Sequence, residues 1–357
     1  MKRRISSLFA GLCTILLAAG FTVTFALAWK KGITAGINSL VGFFLSIALA
    51  PIFHELGHVI FAKIANMETV YVKCFCFKIF VKNGKRRFSF ASPFAPDQTQ
   101  TIPKKGGNMQ SRAGLYTLGG MIVEGITLIV VVALALLWSI TGFKNVAFLF
   151  WGLVPYMAYL FLFNLAPAEY PLGKTDMAIY LGIKRGGDVE KNMLSAMEIQ
   201  GELYEGKSYA QIPKDLYFDT PQLREDEPLF LIMLDLRYRY FLETDDMKNA
   251  TVALNRLAQL QGYLSDEEVE NVAAELVYLH SIRGELDLAE ESSKLCRNLL
   301  MQDTLTAKRI LLAFSLASGT TDAIEPLQRQ AKEAAKTERI LGVRKFEEKL
   351  ISRILQA

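Results

Sequence analysis

The chain has 357 residues, 51% of them hydrophobic and 21% charged, with a formal net charge of +4 and a mean hydropathy of +0.23. So small a charge gives no footing for nucleic-acid binding, and so apolar a composition is unusual for a soluble globule. The four cysteines (Cys13, Cys74, Cys76 and Cys296) are too scattered for a disulfide framework, which fits a reducing compartment.

Long apolar runs fill the first half, and charged sequence with helical periodicity fills the second, with the change near residue 187. After the basic start Lys2-Arg3-Arg4, residues 8–29 form the first stretch able to span a hydrocarbon core of about 30 Å. Ala26-Leu27-Ala28 resembles a signal-peptide cleavage site, but the apolar run is long for one, so a retained anchor is expected.

Residues 33–62 form the second span and contain His54-Glu55-Leu56-Gly57-His58. On a helix this HExxH pattern sets two imidazoles one turn apart on one face, where they can hold zinc, and places Glu55 as general base for a water activated there. Ionisable groups at membrane depth cost about 2–4 kcal/mol each, so three in five residues call for a compensating partner, which a metal ion supplies. Gly57 permits close packing beside that site.

Between spans two and three, the stretch 70–81 is rich in β-branched and aromatic residues, and Asn83-Gly84 carries a type I′ turn signal before Lys85-Arg86-Arg87-Phe88-Ser89-Phe90. We expect a β-hairpin over about 68–91. Cys74 and Cys76 are then strand residues on one face. The edge of this hairpin, lying at or dipping into the membrane surface, is a candidate docking strand for an extended substrate. Residues 92–112, with Pro93, Pro96, Pro103 and Gly106-Gly107, read as flexible linker.

Residues 114–140 and 147–166 give spans three and four. Ten Lys and Arg residues lie between 63 and 112, against only Lys30, Lys31 and Lys144 on the opposite side. The positive-inside rule therefore makes that loop cytoplasmic, together with both termini, in a multi-pass cell-membrane protein of bacterial type.

From about 188 onward the sequence turns polar and helical, with a capping signature at Ser265-Asp266-Glu267-Glu268. Similar joins precede Ala250, Ala289 and Ala323, alanines 39 and 34 residues apart. That spacing suits tetratricopeptide-like helix pairs, an α-solenoid whose concave face could take a protein partner. The fold class expected is mainly α: a bundle of about four transmembrane helices with a small β-hairpin (domain 1–187), then a cytoplasmic helical-repeat domain (188–357).

A catalytic zinc takes three protein ligands and keeps one position open. The third histidine, His280, lies in the polar half and reads as an ordinary helix residue, so a carboxylate is expected. Glu124, Glu169, Asp176 and Asp188 are the candidates; Glu124 lies within span three, and Asp188 lies furthest into the polar half.

HELGH in one span, Asn164-Leu165-Ala166-Pro167 at the end of a later one, and Lys174-Thr175-Asp176 together resemble the site-2 protease family of intramembrane zinc metalloproteases. In that family the later motif is Asn-x-x-Pro followed by Asp-Gly. The resemblance implies that Asp176 is the third zinc ligand, with Glu169 as substitute, and that Asn164 positions the substrate backbone. Met177 stands where the family has Gly, and the spacing from Asn164 to Asp176 is longer. Gly119-Gly120 echoes the family's Gly-Pro pair without its following Asn. The likeness covers about residues 35–185.

It implies a zinc endopeptidase that hydrolyses membrane-embedded or membrane-proximal protein or peptide substrates in the lipid bilayer, with Zn²⁺ on His54, His58 and Asp176, and Glu55 as base. The alternative is a non-catalytic membrane scaffold of the same fold that recruits partners through its helical repeats. Zinc content discriminates the two.

Overall fold

A computed structural model describes residues 2–82, 85–170 and 173–356. Four helices are long and apolar enough to cross a membrane: α1 (Lys2–Lys31), α2 (Ile33–Ile64), α3 (Met109–Ile140) and α4 (Lys144–Leu165). Their outward faces leave large apolar side chains such as Leu16, Ile37, Phe44 and Ile129 exposed, a surface suited to lipid and costly in water. These features suggest a membrane protein.

Packing among these helices relies on small residues. A Cβ added at Gly42 of α2 would run into the Leu149 carbonyl of α4, and one at Gly152 of α4 into the Ser39 carbonyl of α2. Around these close approaches Ala50, Val131, Leu153 and Met157 form the small apolar core of this unit.

Between α2 and α3 lie β1 (Met67–Cys74), β2 (Phe77–Lys82), β3 (Lys85–Phe90) and β4 (Gln98–Pro103), in one sheet of order β3-β2-β1-β4. The expected single strand over 70–81 is two strands. The chain reverses at Phe75-Cys76 with Cys74 opposite Phe77, so Cys76 sits in a turn rather than beside Cys74 on a strand face. Phe75 takes a left-handed φ of 51°, unusual for a bulky residue, and its N–H donates to Asp97 Oδ1 at 2.8 Å. The same carboxylate oxygen takes the buried Lys73 ammonium at 2.8 Å. The expected turn at Asn83-Gly84 lies outside the described residues.

Residues 92–112 are not a linker throughout. Thr99 and Thr101 alternate with glutamines, and β4 forms there alongside β1, so its backbone polar groups are met by strand pairing rather than by water alone. Pro93 and Pro96 precede this strand, Pro103 is its last residue and Gly106-Gly107 follow it, so none interrupts its middle.

After α4 a short antiparallel pair, β5 (Glu169–Tyr170) and β6 (Gly173–Lys174), leads into α5 (Asp176–Arg185). The chain divides into two compact units. The first comprises Met1–Val81, Arg86–Ile102 and Gln110–Gly187; the second includes Pro103–Met109 and Asp188–Ala357.

The second unit is helical: α6 (Asp188–Glu205), α7 (Asp215–Phe218), α8 (Pro228–Glu243), α9 (Met247–Gln259), α10 (Asp266–Ile282), α11 (Leu286–Leu295), α12 (Arg297–Leu300), α13 (Leu305–Ala317), α14 (Ile324–Thr337) and α15 (Leu341–Gln356). Helix α8 packs on α9, α10 on α11, and α13 on α14. The Ser265 capping box forms as its sequence requires, with Ser265 and Glu268 bonding each other's backbone N–H. Ala250 and Ala289 are buried in α9 and α11, whereas Ala323 falls in a 3₁₀ turn before α14. The core of this unit runs from Ile199 through Tyr217, Tyr238, Val277 and Ile310 to Phe346.

Candidate metal centre

Helix α2 carries His54 and His58 one turn apart, and both rings are buried. Each is held by its Nδ1. His54 Nδ1 lies 3.0 Å from Glu124 Oε2 of α3, and His58 Nδ1 lies 3.1 Å from the Tyr116 carbonyl, also of α3. A carbonyl only accepts, so His58 Nδ1 carries the proton; a carboxylate asks the same of His54. Both Nε2 atoms are thereby left as lone-pair donors for a cation, the arrangement in which a carboxylate or carbonyl behind a histidine sets its tautomer.

These two Nε2 atoms are 3.2 Å apart, and Asp176 Oδ2 is 3.2 Å from each. The centre of such a triangle lies about 1.8 Å from its corners, so all three atoms can reach a shared ion at the usual zinc distances of about 2.0–2.2 Å. Asp176 Oδ2 has no hydrogen-bond donor among the described residues, and three acceptors facing one another require a proton or a cation between them. His54, His58 and Asp176 are also the cluster of metal-binding side chains whose ligand atoms converge among the described residues. Two imidazoles and a carboxylate match the donor preference of zinc.

Asp176 reaches this position through the start of α5. Thr175 caps that helix by accepting from the Ala178 N–H at 3.4 Å. Its hydroxyl donates to the Ala166 carbonyl at 2.6 Å, and its N–H donates to the Ala168 carbonyl at 3.0 Å, tying the helix start to the end of α4.

Close approach of α2 and α3 is what brings the two helices' groups together. A Cβ at Gly120 would lie 2.5 Å from His58 Nε2 and 2.8 Å from His54 Nε2, and one at Gly57 would strike the Gly119 carbonyl. No other residue type fits at Gly120 without displacing both rings.

Glu55, next to His54 on α2, reaches the sheet at β4. It is 4% exposed, and its Oε2 accepts from the Thr99 hydroxyl of β4 at 2.5 Å. The Tyr116 hydroxyl in turn donates to the Thr99 carbonyl at 2.6 Å, so α3 pins β4 against Glu55. Beside Glu55, between α2 and the sheet, opens a cleft of about 290 Å³.

The structure thus brings together His54, His58 and Asp176, with Glu55 adjoining on the same helix. Glu124 is at the site, but behind His54 rather than within the triangle. Glu169 is exposed on β5 and is not part of the converging cluster. Asn164 is half-buried in the last turn of α4, and Asp188 begins α6 in the second unit. His280 lies in α10, 2.7 Å from Glu285. Nothing in the sequence marks Thr99 or Tyr116 for the contacts they make beyond the threonine alternation in β4, and Gly120 is signalled only as half of the Gly119-Gly120 pair that echoes the Gly-Pro motif. No family model, curated protein or solved structure matches the chain.

Proposed function

We propose that the chain is a membrane-embedded zinc endopeptidase of the site-2 protease kind, acting on membrane-embedded or membrane-proximal peptide segments. The observation that supports this most is the 3.2 Å triangle of His54 Nε2, His58 Nε2 and Asp176 Oδ2 beside a buried Glu55. Zinc held by these three residues would supply a Lewis acid that polarises a peptide carbonyl and acidifies water.

The chain's own groups do the rest. Glu55 takes the proton of the attacking water and returns it to the leaving amine, and Thr99 fixes the rotamer from which it does so. Glu124 and the Tyr116 carbonyl hold the imidazoles in one tautomer and orientation. Asn164, matched to the family's motif, positions the substrate backbone. An extended segment pairs along the outer edge of β4, the strand that already touches Glu55. Both termini and the sheet face the cytoplasm, and the second unit is a tetratricopeptide-like solenoid that receives a protein partner.

The test uses the full chain in proteoliposomes with zinc and single-span model peptides carrying a helix-breaking segment. Glu55→Gln lowers cleavage by about 10²–10⁴-fold or more while zinc content stays at the wild-type level. Cleavage at the wild-type rate by that variant overturns the reading.

A further inference from the structure

The cleft beside Glu55 has a composition that the hydrolytic chemistry does not use. One wall is a single face of α2, where Ile52, Leu56 and Val59 flank Glu55 at helical spacing. The other wall is the sheet. Val70 and Val72 alternate along β1, and Ile79 of β2 is paired directly with Val72, so these three side chains share one sheet face.

We propose that this cleft is a specificity subsite, and that it receives a bulky apolar side chain from a substrate residue next to the bond served by Glu55. The inference rests on the endopeptidase reading and adds a substrate class to it: membrane-associated peptides with a Leu-, Phe- or Met-sized residue at the cleavage site. Size supports this, since an apolar cavity of about 150 Å³ already holds benzene, and the cleft offers about 290 Å³. So does the placement of polar groups. Glu55 and Arg86 are the charged residues of the lining, Thr69 and Tyr71 of β1 add hydroxyls, and the remainder is mostly apolar. A side chain flanked by peptide backbone suits a cleft with polar groups in its lining. A lipid acyl chain would leave the Glu55 carboxylate facing hydrocarbon, which is costly.

The experiment uses full-length protein in proteoliposomes and one model single-span peptide series, varied from Ala through Leu to Phe on either side of the scissile bond. Two readouts are taken: kcat/KM with wild type, and equilibrium binding of the same peptides to Glu55→Gln by fluorescence anisotropy. The wild type favours Leu or Phe over Ala by at least about tenfold in kcat/KM, the discrimination expected of an apolar pocket. The Glu55→Gln protein binds in the same order. Val72→Phe, which fills the cleft, collapses that ratio, and Leu56→Ala, which widens it, shifts the optimum toward Phe.

A flat profile, or one that both cleft variants leave unchanged, overturns the subsite, as expected if lipid occupies the cleft. Side-chain-dependent binding without any cleavage by zinc-loaded wild type leaves the subsite standing and overturns the endopeptidase reading instead.

Discussion

Both units of this protein bury charge, and they do it in opposite ways. In the second unit Arg309 is fully buried, and its Nε donates to Glu347 at 2.5 Å and its Nη2 to Glu275 at 2.7 Å. The remaining carboxylate oxygens accept from the Tyr238 hydroxyl at 2.8 Å and the Thr306 hydroxyl at 2.7 Å, and the guanidinium lies 4.2 Å over the Tyr278 ring. Burial works against the Glu275 carboxylate, but Arg309 and Arg239 outweigh it and hold its pKa below the usual value. This network links α8, α10, α13 and α15, and its carboxylates meet donors.

The cluster in the first unit is the reverse. Two imidazole nitrogens and a carboxylate oxygen face one another, with their protons committed elsewhere, and both Asp176 Oδ2 and Glu124 Oε1 have no donor among the described residues. In the Arg309 network the one buried group without a partner among the described residues is a donor, Arg309 Nη1, while every carboxylate oxygen is met, and the network holds helices in register. An open set of acceptors at 3.2 Å, two of them in a helix apolar enough to cross a membrane and the third at the start of α5, is stable only around something positive.

The contrast can be broken at each cluster separately. The largest effect is expected from Arg309→Met, which strands two buried carboxylates and costs about 3–5 kcal/mol of stability. Denaturant unfolding of the full chain in detergent, followed by hydrogen exchange of the α10 and α13 amides, measures this, and zinc content should not change. Glu124→Gln acts on the other cluster. It weakens the hold on His54 and lowers zinc affinity by about 10–100-fold, read by competition with a chelating dye, without loss of folded protein. The smallest effect belongs to Thr99→Val, which removes one hydrogen bond to Glu55. It should reduce kcat by about 2–10-fold at constant zinc occupancy. A Thr99 variant that lost zinc would mean that β4 supports the metal cluster rather than the base.

Local sequence carries part of this design and not the rest. The four apolar helices and the His54–His58 pair are legible because helical spacing alone sets them. Asp176 joins them from a distant helix, and only likeness to a known motif points to it over Glu124 or Glu169. Glu124 is legible as an intramembrane carboxylate, but not its place, because which side of His54 it meets depends on how α3 packs across Gly120. Thr99 is hidden in a stretch whose prolines and glycines read as linker, and its strand exists through pairing with β1. The reversal at Phe75-Cys76 has no turn-forming residue and depends on Asp97, more than twenty positions later. Arg309, Glu275 and Glu347 carry no sequence signal of their meeting, since their contacts span three helices.

Metal analysis of the full-length protein, purified in detergent and equilibrated with zinc, tests the central claim most directly. The account predicts one zinc per wild-type chain and loss of that zinc in Asp176→Ala, His54→Ala and His58→Ala, each still folded by circular dichroism. Wild-type protein that takes up no zinc, or an Asp176→Ala variant that binds it as tightly as wild type, would contradict the account.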